Sequence, residues 1–154
     1  AHILEVKVDT CANCHEVETL GDLAGIRGED SVTDYDGNGE LEGFGIELAA
    51  VADVLYAKML EYSVNKAGTA LVYDSHAYPY FFTDLNANGV SDPGEAIYPN
   101  AYSTWTPSLL KAAYNYQYFQ KDPGAFAHNG QYMLQLLIDG IADLGGSTSG
   151  ITRP

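Results

Sequence analysis

Two thiols and an imidazole are gathered in one short stretch, Cys11-Ala12-Asn13-Cys14-His15, and these are the only cysteines in 154 residues. Two cysteines spaced in this way can add across the vinyl groups of a haem, and the histidine beside the second can reach the iron from one face. A disulfide, or a pair of buried thiols beside a surface histidine, would leave the imidazole unexplained. A thioredoxin-like redox pair would sit in a βαβ unit, which the rest of the chain does not spell. A zinc site needs more thiolate or imidazole ligands at matched spacing, and the other histidines, His2, His76 and His128, are scattered. The stretch therefore points to one covalently attached haem c held by Cys11 and Cys14 and ligated by His15.

Haem iron in an electron carrier takes a second axial ligand, for which the candidates are His2, His76, His128, Met59 and Met133. Both methionines lie in helical apolar patterns, where methionine usually fills core space. His128 stands at a helix mouth behind a loop stiffened by Pro123 and Gly124, and is the first choice. His76, in YDSHAYPYFF, is the second, because the aromatics after it could wall a haem face. Its plainer role is a loop histidine bonded to a carboxylate. His2 comes third, as a terminal residue.

Two acidic stretches carry a different chemistry. Residues 84–95, DLNANGVSDPGE, fit the calcium-loop pattern, with Asp84, Asn86, Asn88, the Val90 carbonyl, Asp92 and Glu95 as ligands and Gly89 at the sharp turn. Pro93 and Pro99 argue against an ordinary exit helix, so the full helix-loop-helix hand is not expected. Residues 34–47, DYDGNGELEGFGIE, begin alike with Asp34, Asp36, Asn38, Gly39 and the Glu40 carbonyl, but Gly45 stands where the closing glutamate belongs. Glu42, or Glu47 from the first turn of the next helix, could replace it. Calcium in these loops would relieve part of the formal charge of −14. Neither loop offers a catalytic base beside an open coordination position, so both read as structural sites.

That charge, 7 Lys and Arg against 21 Asp and Glu, argues against nucleic acid or an anionic membrane as partner. No apolar run approaches the length of a membrane span. The start at Ala1-His2 has the look of a processed protein, so export is permitted. The length suits one domain. Its parts read as an N-terminal strand or arm over 1–9, a haem-bearing region over 10–146 and a C-terminal tail over 147–154.

Within these parts, ILEVKV (3–8) reads as a strand, Thr10 as the N-cap of a helix to about Leu20, and GDLAGIRGED as loop. A helix over 44–63 carries Leu48, Ala52, Leu55 and Met59 at helical spacing and ends by Gly68. ALVY (70–73) is a brief strand, followed by a long ordered loop region. Thr106-Pro107 opens a helix to about Gln120 that carries Leu109, Leu110, Ala113, Tyr116 and Tyr118. A last helix, 130–144, buries Leu134, Leu137, Ile138 and Ile141 before Gly145-Gly146. Tyr114, Tyr116, Tyr118 and Phe119 could wall the haem or pack the core. The fold class is mainly α with long ordered loops and short strands.

CANCHEVETL, DYDGNGELEG, YPYFFTDLNANG and above all WTPSLLKAAYNYQYFQKDPGAFAHNGQYMLQLLIDGIADL resemble the C-terminal part of exported multihaem c-type cytochromes of metal-respiring bacteria, over about residues 10–146. The resemblance implies that a histidine in an His-Asn context before a helix serves as distal ligand, which supports His128. Length, motif and acidic loops together read as a single-domain c-type cytochrome with EF-hand-like calcium loops, and thioether-bound haem and weak calcium loops both suit the periplasm, cell surface or exterior. The departure is one haem motif in place of several, so no chain of haems runs along these residues. The expected function is electron transfer through one bis-histidine haem c, to a redox protein or an extracellular acceptor. The rival is a haem enzyme, a peroxidase or small-molecule reductase, with an open iron position. A third expectation is assembly into a homo-oligomer or filament through the termini, because GGSTSGITRP should be ordered only where something packs on it.

Overall fold

The computed structural model describes residues 7–27 and 31–154, except the side chains of Leu20 and His128. In chain order the elements are α1 (Val8–Cys11), α2 (Leu20–Ala24), α3 (Phe44–Tyr62), β1 (Leu71–Tyr73), β2 (Phe81–Thr83), α4 (Pro107–Lys121) and α5 (Ala125–Asp143). The core lies where α3, α4 and α5 meet. Along α3, Leu48, Val51, Ala52, Leu55 and Met59 recur at helical spacing and all are buried, so one apolar stripe faces inward. Leu109, Ala112, Ala113 and Tyr116 do the same for α4, and Leu134, Leu137, Ile138 and Ile141 for α5. Complete burial of a leucine of this kind contributes roughly 2 kcal/mol.

The helix ends follow their local chemistry. Thr106 Oγ1 accepts from the Leu109 N–H (3.2 Å) and Pro107 takes the first helical position, as the sequence leads one to expect. After α3 a π-helical turn, Ser63–Ala67, runs into Gly68, whose φ of +81° only glycine adopts cheaply. Helix α5 begins at Ala125 rather than 130, but Asn129 breaks its geometry (φ −163°, ψ 57°), and the regular part starts at the expected place.

Several expectations change. The strand expected over 3–8 lies largely outside the described residues, and its last residue, Val8, opens α1. The helix expected from Thr10 to Leu20 stops at Cys11, with Lys7 rather than Thr10 as its cap. Asn13 Nδ2 reaches the Asp9 and Thr10 carbonyls (3.4 and 3.3 Å), a side-chain bond that competes with helical continuation. Helix α2 occupies part of the stretch expected as loop. It starts there because Thr19 and Asp22 form a capping box, the Asp22 carboxylate accepting the Thr19 and Glu18 N–H groups (2.7 and 2.9 Å). These two donors hold the Asp22 carboxyl below its usual range. Of the apolar residues that the sequence places on α4, Leu110 and Tyr118 face solvent.

The long region after β1 is irregular but not formless. β2 pairs antiparallel with β1, Val72 opposite Phe82; Phe81 joins the helical core and Phe82 is fully buried. Tyr102 is buried and its hydroxyl donates to the Thr69 carbonyl (3.0 Å). The tail is ordered by its own chain. Thr152 N–H donates to the Tyr35 carbonyl (2.9 Å), Arg153 pairs with Asp139 (2.6 Å), and Gly150 lies so close to Gly37 that a Cβ there would overlap it. Its order therefore needs no partner subunit. Among the described residues no helix is long and apolar enough to cross a membrane.

Candidate haem site and acidic loops

Cys11 closes α1, and the chain then folds back on it. The Cys14 and His15 N–H groups both donate to the Cys11 carbonyl (3.1 and 3.0 Å), so one oxygen gathers the three residues of the motif on a single turn. Both thiols are free; Cys11 is half-buried, and Cys14 and His15 are exposed. Beside them runs an open groove of about 810 Å³, lined by Ala12, Cys14, His15, Glu16, Glu18 and Asp22 among others. Its size falls within the roughly 300–1,000 Å³ of small-molecule and cofactor sites. The donor set fits covalent haem: two unpaired thiols, an accessible imidazole and open space next to them.

That groove continues. A second one, about 540 Å³, shares His15, Val17 and Asp22 and reaches Arg27 and Ile46. A third, about 270 Å³, shares Arg27 and is walled by Tyr35, Phe44, Phe126 and Gly130. His128 lies between those last two residues in sequence, in the first turn of α5 and one position before the break at Asn129. The motif and the start of α5 thus both border the N-terminal end of α3.

The other candidates are placed elsewhere. His76 is 95% exposed, with Nδ1 3.2 Å from Ser75 Oγ and 3.6 Å from Asp74 Oδ1. Its backbone N–H donates to Asp74 (2.8 Å) and, as the leading cause, holds that carboxyl below its usual range. It does not line the grooves beside the motif. His2 lies outside the described residues. Met59 and Met133 are buried in the helical core. Tyr116 stacks on Tyr56 at 4.9 Å inside that core, Phe119 is half-buried against it, and Tyr114 and Tyr118 face solvent, so none of these rings lines the grooves beside the motif.

Each acidic loop winds around its first aspartate. In residues 84–95, Asp84 Oδ2 accepts from Gly89 N–H (2.7 Å), Asn86 Oδ1 from Asn88 N–H (3.0 Å) and Asn88 Oδ1 from Val90 N–H (2.8 Å). Both asparagine amides donate to Asp92 (2.7 and 2.9 Å). The buried Glu95 carboxylate takes the Leu85 and Asp92 N–H groups (2.8 and 3.0 Å). In residues 34–47, Asp34 Oδ2 accepts from Gly39 N–H (2.8 Å), Asp36 Oδ1 from Asn38 N–H (3.1 Å), Asn38 Oδ1 from Glu40 N–H (2.7 Å), and Asn38 Nδ2 donates to Glu42 (2.7 Å). The closing carboxylate is Glu47, fully buried, which takes the Tyr35 N–H (2.5 Å) just as Glu95 takes that of Leu85. Carboxylate oxygens of Asp34, Asp36 and Glu47 come within 4.8 Å of one another.

Comparison with known proteins joins this geometry. Over 151 residues, 85% of the chain, it is 30% identical to "C-type polyheme cytochrome OmcC" of Geobacter sulfurreducens. This chain is homologous to polyhaem c-type cytochromes. "C-type polyheme cytochrome OmcB" of the same species is 37% identical over 83 residues, 49% of this chain. The matches span 19% of OmcC and 11% of OmcB, so this cytochrome homologue corresponds to a fraction of either relative. No protein-family model and no solved structure matches it.

Sequence reasoning missed one residue of this region. Arg27 donates to the Glu47 carboxylate and to the Glu42, Thr33 and Ser31 carbonyls, tying the chain that follows α2 to the 34–47 loop. A pair twenty positions apart leaves no periodic trace. The available signal was compositional: Arg27 follows a capped turn in a chain with few basic residues.

Proposed function

We propose that the chain carries one haem c and passes single electrons, outside the cytoplasm, to a redox protein or extracellular acceptor. Cys11 and Cys14 would hold the group by thioethers, and His15 and His128 would ligate its iron. When bound, haem supplies a one-electron ferric–ferrous couple. What carries the reading is the turn around the Cys11 carbonyl, which presents two free thiols and an exposed imidazole beside an open groove in a homologue of polyhaem cytochromes. Glu16, Glu18 and Asp22 along that groove favour the more positive, ferric state, and two imidazoles in place of His and Met act in the same direction, so the potential is low. The acidic loops take calcium: Asp84, Asn86, Asn88, Val90, Asp92 and Glu95 in one, and Asp34, Asp36, Asn38, Glu40, Glu42 and Glu47 in the other. Copies assemble into a homo-oligomer or filament through the chain termini, which light scattering of variants lacking residues 1–8 or 147–154 tests.

The ligand assignment has a direct test in visible spectra of purified variants. His128→Ala converts a low-spin haem to a high-spin, ligand-binding one, while His76→Ala leaves the spectrum as it was. The opposite pair of phenotypes would make His76 the ligand.

A further inference from the structure

Among the described residues lining the three grooves that begin at His15, Arg27 carries the one Lys or Arg charge. It is not a free surface cation. Its side chain is 14% exposed, and its planar fork meets acceptors from both ends of the 34–47 loop: the Thr33 and Ser31 carbonyls before it, the Glu42 carbonyl and the Glu47 carboxylate within it. A lysine keeps the charge but cannot reproduce that fork. Glu47 has no exposure to solvent, so the pair is buried on one side, and removing either partner strands the other.

Arg27 also ends the segment that starts at the haem motif. That segment is pressed on the first turn of α3: Phe44 N–H donates to the Ile26 carbonyl (3.3 Å), and a Cβ on Gly43 would overlap the backbone of Ala24 and Gly25. Val17 and Leu23 are buried beneath it, but Cys14, His15 and Glu16 stand exposed above. Among the described residues Val17 and Leu23 give the motif a modest apolar footing, and the Arg27 fork ties its segment to the 31–47 stretch through four acceptors.

We propose that Arg27 is a positioning residue for the haem. Acting through Glu47, it seats the segment from Cys11 to Arg27 on α3 and so fixes where the His15 imidazole stands. Its charge in the groove wall opposes the three carboxylates and raises the potential. This rests on the haem reading above. Two consequences separate. Loss of the charge favours the ferric state, and loss of the fork lets the His15 segment shift, which weakens axial ligation.

The test uses the haem-loaded protein as wild type, Arg27→Gln, Arg27→Lys and, as a control for stability alone, Leu137→Ala in the helical core. Midpoint potential, carbon monoxide binding to the reduced form and thermal melting are read for each. Arg27→Gln shifts the potential negative and binds carbon monoxide severalfold faster. Arg27→Lys keeps the potential near wild type but still binds carbon monoxide faster. Leu137→Ala lowers the melting temperature and moves neither haem readout. Should Arg27→Gln not accumulate, Arg27→Lys decides alone, because a carbon monoxide rate equal to wild type removes the role of the fork. Haem-loaded Arg27 variants indistinguishable from wild type, or a Leu137→Ala variant with the same haem changes, overturn the proposal. A wild-type protein without thioether-bound haem would sink the haem reading itself.

Discussion

The loops at 34–47 and 84–95 wind the same hydrogen bonds around different charges. In both, the glycine at the sixth position donates to the first aspartate, the third and fifth side chains accept N–H groups two residues on, and a buried glutamate takes the N–H of the second residue. They differ in what faces the closing glutamate. Among the described residues the Glu95 carboxylate meets only backbone N–H groups, whereas Glu47 also meets Arg27. Among the described residues, loop 84–95 thus has no cation against its closing carboxylate, while loop 34–47 holds one there. The first should bind calcium more tightly, and the second should lose more stability when its glutamate is removed without calcium.

The largest effect expected from this difference appears in chelated protein. Glu47→Ala costs about 3 kcal/mol in urea unfolding because a half-buried guanidinium loses its partner, and Glu95→Ala costs about 2 kcal/mol because charge-assisted backbone bonds are lost. Equal costs would mean that Arg27 contributes nothing to the contrast. Adding calcium at a hundredfold above its Kd stabilises the wild type by about 2.7 kcal/mol for each occupied loop. Glu95→Gln removes one such increment and Glu42→Gln less than one. Melting curves that ignore chelator would leave both loops as polar turns.

A smaller effect sharpens the comparison. In calorimetric titrations Arg27→Gln should tighten calcium binding at 34–47, where the guanidinium no longer competes for Glu47, and leave 84–95 unchanged. Weaker binding at 34–47 would show that Arg27 assembles that loop rather than competing within it.

The smallest expected effect lies in pH. The Gly39 N–H above all holds the Asp34 carboxyl below 3.8, so its stabilisation is present above that value and fades as pH falls through the lower folded one. Asp36 is raised above 3.8, first by burial and then by its charged neighbours Asp34 and Glu47; its contribution is present below 3.8 and is lost as pH rises through the folded value. Without calcium at neutral pH, Asp34→Asn should therefore lower the melting temperature and Asp36→Asn should raise it. Both differences shrink in acid. With calcium, both substitutions lower it.

The sequence made the three long helices legible because each carries an apolar stripe, and the caps at Thr106 and Gly68 are local chemistry. The motif was legible for the same reason, since its three residues act within one turn. β2 was hidden because Phe81 and Phe82 follow Pro79 and run into an asparagine-, glycine- and proline-rich stretch that reads as loop, and their pairing is set by Leu71–Tyr73 across a turn. The helix expected through the motif failed at Cys11, where an asparagine side chain outbid the backbone ladder. Glu47 was among the residues considered for closing the first loop, but the pairing that holds it, with Arg27, is a tertiary fact. The outward turn of Leu110 and Tyr118 is likewise decided by which side of α4 faces its neighbours.

The most direct test of the account is the visible spectrum and haem stoichiometry of the purified protein, oxidised and reduced, after acid-acetone extraction. One haem per chain that resists extraction, six-coordinate and low-spin in both states and slow to bind carbon monoxide, is the expected result. A haem that extracts freely, or a high-spin spectrum that shifts at once with carbon monoxide or peroxide, would contradict a thioether-bound, bis-histidine electron carrier.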